Sequence, residues 1–79
     1  MTHREIHALR AKPGKAAEKK ILMKDYELMK SVLWNLVILS CGNENSTYNG
    51  LYPNGVGAAL KAHRENIKTL EDKIKDICH

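Results

Sequence analysis

The sequence predicts an all-α protein: a long antiparallel helical hairpin with a short N-terminal helix, assembled into a homo-oligomeric helical bundle. Three observations carry this reading. Val56, Leu60, His63, Ile67, Leu70, Ile74 and Ile77 recur at alternating steps of four and three, the signature of one apolar helix seam. Ser31 to Cys41 is apolar almost all the way round, with only Asn35 and Ser40 interrupting the ring. Between these stretches lies a run dense in Gly, Asn and Pro, which are turn residues.

Taken in order, Thr2-His3-Arg4-Glu5 fits a capping box, with Thr2 as N-cap and Glu5 three residues on. A short helix is expected from about His3 to Ala11. It offers little apolar surface beyond Ile6 and Leu9, so its order depends on docking. Pro13-Gly14 breaks the chain. Residues 1–14 therefore read as a basic N-terminal segment and residues 15–79 as the hairpin, within one domain.

The second helix is expected from about Lys15 to Cys41. Leu22, Tyr26, Met29, Leu33, Leu36 and Ser40 form its seam, and Gly42 is its expected stop. The ring of apolar residues at its C-terminal end has no polar back and needs cover on more than one side. It is too short for a membrane span of about 20 residues. A second copy of the chain, or the N-terminal segment folding back, would provide that cover. A dimeric four-helix bundle satisfies the pattern, and Leu33, Trp34, Leu36, Val37 and Ile38 are the expected oligomer interface.

Gly42 to Gly55 contains Asn-Gly twice, with Pro53 between. Tyr48, Leu51 and Tyr52 are expected to pack this loop back on the bundle end. The third helix is expected from about Val56 to Cys78, with its charged residues outward and Asn54 as its N-cap.

Size sharpens the need for a partner. A chain of 79 residues buries only about 63% of its unfolded surface. Phe is absent, so an aliphatic core is expected. The net charge of +4 is lopsided: Met1 to Lys24 holds seven basic and two acidic residues, and the remainder six and seven. The N-terminus lacks an apolar core region, so no signal peptide is expected, and the cytoplasm with reduced cysteines follows.

Chemistry is sparse. Cys41 and Cys78 sit at opposite ends of the expected hairpin, about 33 Å apart along the third helix, which excludes a disulfide between them. No Cys-x-x-Cys is present, and neither a cofactor nor a metal site is expected. His3 and His7 lie at i and i+4 on one helix face, the spacing of a chelating pair, but no carboxylate signature accompanies them. His63 lies in the third helix's seam and is expected to be a core histidine with a hydrogen-bond partner. No nucleophile, base and orienting group can be assembled from spacing, and the chain is read as not an enzyme.

The expected function is therefore binding another macromolecule, as a small adaptor, regulator or inhibitor acting as a homodimer. The alternative is a nucleic-acid or nucleotide binder. It would use Arg4, Arg10, Lys12, Lys15, Lys19 and Lys20 for phosphates, together with Lys61 and a helix opened by Gly55 and Gly57. Gly55-Val56-Gly57 resembles the Gly-hydrophobic-Gly turn of helix-hairpin-helix DNA-binding motifs. It departs from that pattern in Asn54, which separates Pro53 from Gly55, and in a preceding helix that ends too early.

Overall fold

The computed structural model describes residues 2–79; Met1, with which the N-terminal segment opens, lies outside them. The chain is all-α: α1 spans His3–Ala8, α2 Ala16–Leu39 and α3 Gly57–Ile77. The helices pack into a body of 47 × 18 × 14 Å. Among the described residues no helix is long and apolar enough to cross a membrane.

The capping box forms as the sequence predicts. Thr2 Oγ1 accepts from the Glu5 amide at 3.1 Å, and Glu5 Oε2 accepts from the Thr2 amide at 3.2 Å. The helix stops at Ala8, three residues short of the expected end. The following residues instead pair with the far end of the chain. Lys12 donates its amide to the Ile77 carbonyl at 2.9 Å, and His79 donates to the Arg10 carbonyl at 2.8 Å. These bonds flank a bridge between Ala11 and Cys78.

α2 and α3 pack on one another, and every predicted seam residue in α2 is buried or partly buried. Two clusters result. The larger joins Ile6, Tyr26, Ile67, Ile74, Ile77 and Cys78. The smaller joins Leu36, Val56 and Leu60, with Tyr48 and Tyr52 against it. The expectation of an aliphatic core fails at one position. Tyr26 is fully buried and is the largest side chain to be so, because Ile6 and α3 close over its ring.

α2 ends at Leu39 in a Schellman motif. The Cys41 amide donates to Ile38 O at 3.0 Å and the Gly42 amide to Val37 O at 2.9 Å. The residue at the left-handed capping position is therefore Cys41, with φ of 53°, one residue before the predicted glycine. Gly42 follows, also at positive φ.

The loop closes on α3 through its backbone. Ser46 O accepts from the Val56 amide at 2.9 Å and Glu44 O from the Gly57 amide at 3.0 Å. Val56, not Asn54, is the N-cap, and among the described residues no side chain caps the helix. The loop carbonyls take those amides instead. This explains Gly55: at φ of 91° a Cβ there would lie 2.6 Å from Glu44 O. Tyr48 and Tyr52 pack inward as expected, but Leu51 stays exposed.

Candidate functional site

Three surface features bear on function: the uncovered flanks of α2, a histidine–glutamate cluster, and the basic N-terminal third.

The α2 surface is the largest. On a helix that turns about 100° per residue, its seam points toward α3. One flank from that seam lie Ile21, Leu28, Val32 and Leu39, all exposed; Ile21 and Leu28 are 65% and 63% open to solvent. Asp25 and Asn35 complete this stripe, so that positions 21, 25, 28, 32, 35 and 39 step by four, three, four, three and four. The stripe borders a shallow groove of about 310 Å³ lined by Asp25, Leu28 and Met29 from α2 and by Asn66, Thr69, Leu70 and Lys73 from α3. A second apolar pair, Trp34 and Ile38, opens on the other flank at 64% and 54% exposure.

The sequence-predicted interface therefore divides. Leu36 is buried, and Leu33 and Val37 pack against the intrachain clusters. α3 and the loop cover these three, and only Trp34 and Ile38 remain open. The stripe through Ile21, Leu28, Val32 and Leu39 is absent from the sequence-predicted interface. A second heptad-like register is readable in the sequence, but the first seam accounts for the same helix and masks it.

The second feature joins residues distant in sequence. His7 Nε2 meets Glu27 Oε1 in a close hydrogen bond, and His3 Nε2 lies 3.4 Å from the same oxygen. The two imidazole centroids are 4.5 Å apart and tilted by 55°. His3 also stacks on Tyr26 at 5.9 Å, and Lys30 Nζ lies 5.5 Å from the centre of the Tyr26 ring. Burial, reinforced by the carboxylates of Glu71 and Glu27, holds the Tyr26 phenol above its ordinary pKa. Its hydroxyl has no hydrogen-bond partner among the described residues. The i, i+4 histidines are legible in the sequence. Glu27 is not, because only the docking of Ile6 brings α1 to that turn of α2.

Three of the six N-terminal basic residues of the predicted anion site are engaged. Lys12 Nζ donates to Asp76 O at 3.0 Å, Lys19 Nζ donates to Leu9 O, and Lys15 pairs with Glu18 at 3.3 Å. These residues lie near the last turn of α3, while Gly55, Gly57 and Lys61 lie at its first turns. The helix between rises about 30 Å, so the two halves of the predicted anion site do not meet. The amides of Val56 and Gly57 are already taken by loop carbonyls. His63 Nδ1 is buried without the expected partner among the described residues; its seam neighbours Leu60 and Ile67 offer no side-chain acceptor. Cys41 is exposed and Cys78 buried, both free.

No protein-family model matches the chain, and comparison with curated proteins and with solved structures likewise finds no match.

Proposed function

We propose that this chain acts without catalysis, by binding macromolecules through the uncovered flanks of α2, and that the stripe of Ile21, Leu28, Val32 and Leu39 receives a second copy of itself. The observation that carries the reading is the symmetry of that stripe. Run against itself in the opposite direction, it places Ile21 opposite Leu39, Leu28 opposite Val32, and Asp25 opposite Asn35. Each apolar residue meets an apolar one, and the single carboxylate meets a side-chain amide able to donate to it. A surface that is its own complement under a two-fold axis is what an isologous dimer requires.

The surface area supports this assembly. A compact monomer of 8.9 kDa should expose about 4,800 Å², whereas this chain exposes 5655 Å². The excess, roughly 850 Å², reflects the elongated shape and leaves the flanks of α2 open to a partner. The radius of gyration agrees: 15.0 Å against about 11.6 Å for a compact domain of this length. We read α2 and α3 as an antiparallel hairpin, since Leu36 meets Val56 and Leu60 while Tyr26 meets Ile67 and Ile74. Two such hairpins joined along the stripe make a four-helix bundle.

Trp34 and Ile38 stay open in that dimer and form the surface for a protein partner. Lys20, Lys24 and Lys30 stand on the same side of α2, with Glu27 among them held by His3 and His7, so the matching surface is apolar at its centre and polar at its rim. Occupying such a surface is how an adaptor, regulator or inhibitor works.

The experiment is light scattering with mass determination across a concentration series. Twice the chain mass is expected, with Leu28→Glu giving a helical monomer. Register is checked by Leu28→Cys combined with Val32→Cys in a Cys41→Ser background, which should crosslink into dimers where Ile38→Cys does not. A monomer at high protein concentration defeats the reading. Binding to mixed oligonucleotides in low salt would favour the basic residues instead.

A further inference from the structure

We propose that His3, His7 and Glu27 form a transition-metal site, of the kind zinc, copper or nickel occupies, that clasps α1 to α2. The three ligand atoms already lie within 4.8 Å of one another. Tetrahedral zinc with bonds of about 2.0–2.2 Å holds its ligands roughly 3.4 Å apart, close to the 3.4 Å between His3 Nε2 and Glu27 Oε1. Both histidines present the same nitrogen, Nε2, to the same oxygen. Seating an ion between them requires the close His7–Glu27 contact to open toward the tetrahedral ligand spacing.

Local structure explains the convergence. The capping box starts α1 at His3, so the i, i+4 spacing places both imidazoles on one face. Ile6, fully buried against Tyr26, sets the depth at which α1 sits. Tyr26 stacks on the His3 ring at 5.9 Å. Glu27 follows Tyr26 directly and presents its carboxylate to both rings.

The donor set selects the class of ion. Two imidazoles and one carboxylate suit zinc, copper or nickel, whereas magnesium and calcium require oxygen-rich shells. Three protein ligands leave a fourth position to solvent, since both histidines are exposed. The consequence is structural. α1 has six residues, too few to be stable unaided, and a metal joining residues 3 and 7 to residue 27 adds its binding free energy to the docked state.

The test uses the full chain, freed of metal by chelation. Zinc is titrated by calorimetry, and long-range nitrogen–proton spectra of the imidazoles are followed in parallel. The expected result is one equivalent of zinc, Nε2 shifts at His3 and His7 but not at His63 or His79, and a raised Tm. Magnesium should do none of this. His7→Ala and Glu27→Ala should each weaken zinc binding by at least about tenfold, while His63→Ala leaves it unchanged. Absence of zinc uptake, or shifts confined to His63 and His79, overturns the proposal. So does zinc binding at full strength in Glu27→Ala. The imidazole spectra need no variant, so a misfolded mutant cannot obscure the answer. A monomeric chain that binds zinc would leave this proposal standing while removing the dimer.

Discussion

The two ends of the molecule are closed by contacts of different range along the chain. At the loop end, residues 42–57 turn back through backbone hydrogen bonds and left-handed residues. The bonds from Gly57 to Glu44 and from Val56 to Ser46 join groups near in sequence. At the other end, closure depends on residues far apart in sequence: Ile6 on Tyr26, Lys12 on Ile77, His79 on Arg10. One end is held by main-chain bonds between residues close in the chain, and the other by main-chain bonds and side-chain burial between residues about twenty to seventy apart. Substitutions should therefore fail in different ways at each.

The largest effect is expected at the terminal end. Ile6→Ala removes a fully buried side chain and should cost about 3 kcal/mol, measured by denaturant unfolding. Exchange protection of the Val56 and Gly57 amides below global unfolding should stay intact. Gly55→Ala should cost about 2 kcal/mol or more, since it combines a left-handed φ with a Cβ pressed on the Glu44 carbonyl. Its signature is reversed: the Val56 and Gly57 amides lose protection first, while the contacts of Ile6 persist. If the two variants gave the same exchange pattern, the ends would be one cooperative unit.

Tyr26→Phe should stabilise by about 1 kcal/mol, because a buried hydroxyl without a partner disappears. The raised Tyr26 pKa adds a pH dependence with a definite sign. Below the ordinary value of 10.0, both folded and unfolded chains hold the proton. Above it, the unfolded chain releases the proton while the fold retains it, so stability falls as pH rises. The phenylalanine variant should lose that part of the alkaline decline, as thermal unfolding from neutral pH to beyond the ordinary tyrosine pKa would record. The smallest effect is Cys41→Gly, which relieves a non-glycine residue at φ of 53° and should gain up to about 1 kcal/mol in Tm-derived stability.

The same contrast explains what is legible in the sequence. Both seams, the capping box and the turn-rich loop can be read because each is a local pattern with a fixed period or spacing. Glycine preference points to Gly42 as the left-handed cap of α2, yet Cys41 takes that position because the helix already stops at Leu39. Asn54 has the composition of an N-cap, but the amide of Gly57 is taken by Glu44 O, thirteen residues earlier in the chain. Only the path of the loop brings that carbonyl to the first turn of α3, and local composition does not encode the path.

The candidate sites divide in the same way. His3 and His7 are visible as a pair because four residues separate them. Glu27 joins them only once Ile6 is buried, and no local spacing encodes that docking. The stripe on α2 is present in the sequence as a second register, but telling a covered seam from an uncovered one requires knowing where α3 lies. The short first helix shows little apolar surface in sequence, and Ile6 nevertheless sits in the larger cluster with Ile74 and Ile77.

The pairing of residues 10–12 with residues 77–79 has a consequence for biosynthesis. A nascent chain leaving the ribosome exposes Ile6 early, yet Ile74 and Ile77, which cover it, are made more than sixty residues later. Throughout that interval the first segment can meet only its α2 partners, Tyr26 and Glu27 among them, and it completes its native contacts only after translation has passed the last turn of α3.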